Sequence, residues 1–150
     1  MNGASPYTPS VPRAAYLEHL AQVPLFRSLS KRDLQRVARA ADELQVEPGR
    51  VLMEQGQVGR ECFVIVDGTA TVRRNGRRVA TLGPGDAAGE LSLLDHGPRT
   101  ATVVADGAMT VLVIGAREFS GLLDEVPTVA RKLLTSLAAR VRELDAKAFA

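Results

Sequence analysis

The sequence predicts a mainly-β domain of the α+β class, with short antiparallel strands forming a barrel or sandwich between flanking helices. Short apolar runs cut by glycine fill the middle of the chain, the pattern of many strands joined by turns. Asn75-Gly76 stands between Thr69–Arg74 and Arg77–Leu82, and both of these turn residues tolerate positive φ, the strongest short hairpin signal. Helical spacing of apolar residues is confined to the two ends.

Composition sets the frame. A chain of 150 residues fits one domain and buries roughly 70% of the surface of its unfolded form, enough for a single core. Hydrophobic residues make up 45%, aromatics only 4%, and tryptophan is absent, so the core rests on Val, Leu, Ile and Ala. Few aromatics also argue against stacking platforms for single-stranded nucleic acid. Nineteen basic against seventeen acidic residues leave +2, too mild to argue for nucleic acid by bulk charge. The lone Cys62 excludes an internal disulfide and suits a reducing compartment. No apolar run is long enough for a membrane span, and the N-terminus lacks a signal-peptide pattern. The expected location is cytoplasmic.

Residues 1–12, rich in Pro, Ser, Gly and Asn, read as a loose tail, and 13–150 as the domain. Pro12 suits the start of a short helix over Arg13–Gln22, with Tyr16, Leu17 and Leu20 on one face. Ser30 ahead of Asp33 is a capping-box pattern, and Leu29 with Leu34 is placed for a hydrophobic staple. Leu34, Val37, Ala38 and Ala41 then keep helical spacing, so this helix is expected to reach about Asp42, closing a helical lead over 13–44. After Pro48-Gly49 come the strand candidates Val51–Met53, Cys62–Val66, the hairpin pair, Thr102–Ala105 and Thr110–Ile114, giving a β region over 45–115. Helix returns near Ala116, and Pro127 opens a long helix in which Val129, Leu133, Leu137, Val141 and Leu144 recur at three or four, completing 116–148.

The most informative run is Gly89-Glu90-Leu91-Ser92-Leu93-Leu94, followed by Pro98-Arg99-Thr100-Ala101-Thr102-Val103. Glu90–Leu94 is long enough for about one helical turn, whose first N–H groups lack partners and carry partial positive charge. Gly89 lets a ligand approach the backbone closely. Arg99 offers a planar fork for phosphate oxygens. Glu90, an acceptor, wants a hydroxyl nearby. A cyclic phosphate fused to ribose supplies both partners at a fixed separation.

With these motifs the chain resembles the cyclic-nucleotide-binding domain family, found in catabolite activators, cyclic-AMP-dependent kinase regulatory subunits and nucleotide-gated channels. The resemblance covers roughly residues 25–144, with support from Leu82-Gly83-Pro84-Gly85-Asp86, Asp67-Gly68 and Glu47-Pro48-Gly49. It implies an antiparallel β-roll or jelly roll with N-terminal helices and a long C-terminal helix. It implies Glu90 and Gly89 at the ribose, and Arg99, Thr100, Ala101, Leu91 and Ser92 at the phosphate. Val72, Val79, Leu144 and Asp145 would line the base. Thr100 after Arg99 occurs in members of both nucleotide preferences, and cyclic AMP is favoured over cyclic GMP on ligand supply alone.

Alone, Glu90 reads as a helix N-terminal carboxylate and Arg99 as a surface ion pair. Arg73, Arg74, Arg77 and Arg78 read as a solvated hairpin end rather than a nucleic-acid contact. His19 and His96 stand too far apart for a metal site, and Cys62 reads as a buried small hydrophobe. No nucleophile–base set, Walker loop or acid pair points to catalysis. No recognition helix follows the cassette before Ala150, so output is expected through an effector partner, or through homodimerisation on the Leu133–Leu144 stripe. The competing reading is an interaction or scaffold domain whose pocket is unused. A DNA-binding regulator would have to use the arginine hairpin.

Overall fold

The computed structural model describes residues 16–22 and 26–149. The expected tail and the opening of the first helix at Pro12 lie outside the described residues. Helices α1 (Tyr16–Gln22) and α2 (Lys31–Ala40) come first. Strands β1 (Ala41–Val46), β2 (Val51–Met53), β3 (Glu61–Asp67), β4 (Ala70–Arg74), β5 (Arg77–Leu82) and β6 (Ala87–Ala88) follow. Helix α3 (Glu90–Asp95) then precedes β7 (Thr102–Ala105) and β8 (Met109–Gly115). Helices α4 (Ala116–Glu125) and α5 (Pro127–Phe149) close the fold.

The strands form two four-stranded sheets, ordered β1-β8-β3-β6 and β2-β7-β4-β5, with every pairing antiparallel. Side chains alternate across a strand, and this divides the apolar runs of β3 and β8 between two cores. Phe63, Ile65, Val111 and Val113 enter a core shared with Leu44, Val46, Met53, Val103 and Ala105 of both sheets. Cys62, Val64, Leu112 and Ile114 enter a second core with Leu20, Phe26, Val37, Phe119, Leu122, Val126 and Val129 of the helical layer. β3 and β8 are continuous apolar runs because both of their faces are covered. Each fully buried Leu, Ile, Val or Phe contributes about 1.5–3 kcal/mol.

The local signals act as their chemistry requires. Ser30 Oγ accepts from Asp33 N at 3.2 Å, and Leu29 and Leu34 share the helical core. Asn75 and Gly76 take φ of 54° and 78° and close β4 onto β5.

The sequence reading is corrected at one boundary. The second helix ends at Ala40, and β structure begins at Ala41 rather than at residue 45. Ala41, Leu44 and Val46 are buried, and β1 pairs with β8 from Ala41↔Ile114 to Val46↔Met109. Pairing along a buried strand outweighs one more turn of a helix whose next residues, Asp42 and Glu43, offer no apolar face. Strand β6 also escaped the pattern, being two residues long.

The apolar stripe of α5 divides. Val129 and Leu133 are buried against the helical core and Leu137 is half-buried, while Leu134, Val141 and Leu144 are 64–66% exposed. From Ala138 to Lys147 every residue of α5 is exposed. No helix among the described residues is long and apolar enough to cross a membrane.

Candidate functional site

The Gly83-Pro84-Gly85 turn delivers the chain to α3. Gly83 N donates to Asp86 Oδ2 at 2.8 Å, Asp86 N to Gly83 O at 3.0 Å, and Gly85 N to Ile65 O at 2.8 Å. These bonds fix the short strand β6 beside β3 and set Gly89, at φ 92°, as the N-cap of α3. The loop after α3 returns through His96, also in a left-handed conformation. It is tied back where Ser92 Oγ donates to Pro98 O at 3.4 Å.

A cavity of about 400 Å3 lies between this cassette and the strands. Val72, Arg74, Val79, Ala80 and Leu82 form its strand wall, and Gly89, Glu90, Leu91, Ser92, Thr100 and Ala101 its cassette wall. Eight residues expected at the ligand, Gly89, Glu90, Leu91, Ser92, Thr100, Ala101, Val72 and Val79, thus meet around one space. Its volume falls in the usual range for small-ligand pockets. A larger space of about 520 Å3 lies between α5 and the Gly85–Ala87 turn. It shares Ala87, Glu90 and Arg140 with the first but lacks the Val72–Leu82 strand wall and the Thr100–Ala101 loop.

Glu90 is the centre of the site. It is buried at 4% exposure, and its Oε1 accepts from Arg140 Nη1 of α5 at 3.0 Å. Its Oε2 is buried without a hydrogen-bond partner among the described residues. A buried acceptor left unmatched costs about 1–3 kcal/mol, more when charged, so this oxygen calls for a donor. Arg140 is half-exposed and carries a contact that ties the solvated end of α5 to the cassette.

Arg99 stands elsewhere than expected. It is buried at 6% exposure, with Nη2 donating to Glu61 O at 2.8 Å and Nη1 to Gly89 O at 3.3 Å. Its guanidinium packs on Gly59, where a Cβ would fall 2.0 Å from Cζ. It lines an adjoining space of about 260 Å3 with Met53, Gln57 and Glu61, not the 400 Å3 cavity. Burial lowers its basicity from the ordinary value, and the nearby Glu61, Cys62 and Glu90 oppose that shift. Arg99 therefore braces the Gly89 backbone from behind. Burial, with the Glu90 carboxylate second, pushes the Cys62 thiol up to about 12, so it stays protonated and unreactive at neutral pH.

Leu144 and Asp145 are exposed on the far part of α5 and line neither cavity. Arg140 is the α5 residue that lines the cavity. Arg140 and Arg74 are the site residues that sequence reasoning missed. The signal for Arg140 was its spacing, three residues beyond the half-buried Leu137. The signal for Arg74 was its position two residues beyond Val72 on one strand.

Comparison with known proteins gives this arrangement its relatives. A family model described as the cyclic nucleotide-binding domain matches residues 43–126. A cAMP-dependent protein kinase regulatory subunit of Mycosarcoma maydis is 37% identical over 120 residues, covering 74% of this chain and 23% of that protein. The chain thus spans about a quarter of that relative's length. The Thermus thermophilus catabolite activator protein superposes with a TM-score of 0.77 at 31% identity, over 83% of this chain and 61% of that one. The regulatory domain of Toxoplasma gondii PKA, solved with cAMP, superposes with a TM-score of 0.73 at 25% identity, over 85% and 50%. The match of that family model to more than half of the chain, on two four-stranded antiparallel sheets with a long closing helix, makes this chain a member of the cyclic nucleotide-binding domain family.

Proposed function

We propose that this domain senses a cyclic nucleotide, cyclic AMP in the first place, and reports its presence through α5 without catalysing a reaction. The observation that carries this reading is the buried Glu90 carboxylate, with one oxygen lacking a donor, on the wall of a cavity with an apolar strand side. A ribose hydroxyl supplies the donor, and the purine packs on Val72 and Val79. The phosphate lies at the Gly89–Ser92 backbone and the Thr100–Ala101 loop. Arg99 joins it by exchanging the Glu61 carbonyl for a phosphate oxygen while Nη1 keeps Gly89 O, a trade of a neutral acceptor for a charged one. Cyclic AMP is supported by the regulatory subunits among the relatives, one solved with cAMP.

The device for output is competition for Glu90. Without ligand, Arg140 holds the carboxylate and with it the solvated end of α5. A ribose hydroxyl at Oε2 turns the carboxylate into the cavity and away from Arg140, Arg140 lets go, and α5 reseats with Leu144 and Asp145 approaching the base. A ligand shifts an equilibrium only by binding one state better, and here the difference is who holds Glu90. The exposed Leu134 and Val141 then offer a surface for a second copy of the chain or an effector protein in the cytoplasm.

The experiment is calorimetric titration with cyclic AMP of the wild-type chain and of Arg140→Ala. An ion pair with a half-exposed partner contributes on the order of 1 kcal/mol or less. Removing the competitor should therefore tighten cyclic AMP binding by about threefold, with lower stability of the free protein. Weaker binding by Arg140→Ala would make Arg140 a ligand contact instead of a rival. Failure of the wild-type chain to bind any cyclic nucleotide would favour the interaction-domain reading.

A further inference from the structure

We propose that Arg74 reads the base, giving cyclic GMP a hold on this pocket that its aliphatic wall does not provide. The inference rests on the cyclic-nucleotide reading above and adds to it a residue that recognises guanine.

Arg74 ends β4 and lines the cavity on the same wall as Val72, Val79, Ala80 and Leu82. Its Nε donates to Thr100 O at 3.1 Å, which lays the side chain along the cavity and fixes one edge of the guanidinium. The terminal nitrogens make no hydrogen bond or ion pair among the described residues. The strand end that carries it is anchored. Gln55 Nε2 donates to Asn75 Oδ1 at 2.9 Å, and Asn75 N donates to Gln55 Oε1 at 2.8 Å. Arg78 is otherwise engaged. Its Nη2 donates to Thr81 Oγ1 at 2.6 Å. Arg140, the other guanidinium of the cavity, is held by Glu90. Arg74 is thus an exposed guanidinium tethered at Nε, its terminal donors uncommitted, beside the surface on which the purine packs.

A guanidinium donates and never accepts. Guanine presents two adjacent acceptors, O6 and N7, which a fork of donors fits. Adenine presents N7 beside an amino donor, so the same fork meets one acceptor and one donor. Glutamine at this position reverses the preference, because its carboxamide matches the N6 and N7 of adenine.

The test titrates the whole chain with cyclic GMP and cyclic AMP, as wild type, Arg74→Gln and Arg77→Ala. Arg77 bears the same charge on the same hairpin but does not line the cavity. Arg74→Gln should weaken cyclic GMP by about tenfold and leave cyclic AMP unchanged or tighter. Arg77→Ala should leave the ratio of the two affinities as in the wild type. An equal loss of both nucleotides in Arg74→Gln would put Arg74 on the phosphate and overturn the proposal. No change for either, or the same change of ratio in Arg77→Ala, would overturn it too. A wild-type chain that binds neither nucleotide overturns the functional reading itself, an outcome distinct from all of these.

Discussion

Replacing Arg99 by alanine is expected to weaken cyclic AMP binding at least tenfold and to destabilise the free protein. Two roles are lost together. Glu61 O and Gly89 O lose their donor, and hydrogen bonds to charged groups contribute about 1.5–3 kcal/mol each. The Gly89 peptide, which sets the entry to α3, loses its brace at the same time. The phosphate loses the guanidinium that resemblance to the family assigns to it. Arg99→Lys separates the roles: an ammonium keeps the charge but lacks the planar fork that reaches both carbonyls. It should recover part of the affinity and little of the stability. Titration calorimetry and denaturant unfolding of both variants check this, and an unchanged affinity in Arg99→Ala would remove Arg99 from the site.

Gly89→Ala is expected to be as severe for binding. Gly89 sits at φ 92°, where an added side chain is strained by about 1–3 kcal/mol. Its Cβ would also fall 2.4 Å from Arg99 Nη1 and 3.0 Å from Glu61 O. The substitution cannot be absorbed without unseating Arg99 or moving the backbone that starts α3. Affinity for cyclic AMP should fall by at least tenfold, since the brace and the cassette N–H groups shift together. Gly49→Ala is the control, because Gly49 has a similar φ of 83° with open space around it. It should share the loss of stability from backbone strain and keep the wild-type affinity. If the two variants bind alike, the packing of Arg99 on Gly89 is irrelevant to the ligand.

Much of this architecture was legible because the decisive signals are local. Asn75-Gly76 needs left-handed φ at both positions and takes it, and Ser30 needs only the N–H of Asp33. The strands β3 and β8 were visible as apolar runs, although only the structure shows the two cores that make them so. The segment Ala41–Val46 was misread because Ala41 continues a helical stripe, while its partner β8 lies far along the chain. The cassette was readable as a motif, and most of its residues do meet around one cavity. The seat of Arg99 was not, since it depends on the carbonyl of Glu61 and the missing side chain of Gly59. The place of Arg140 was not readable either, because α5 meets Glu90 across fifty positions of sequence.

In the proposed sensor, ligand and Arg140 compete for Glu90 and α5 reports the outcome. Hydrogen exchange of α5 at saturating cyclic AMP tests it most directly. The account predicts slower exchange over Val141–Lys147, now exposed, as that end reseats on the base. Bound nucleotide with exchange unchanged along the whole of α5 would contradict it.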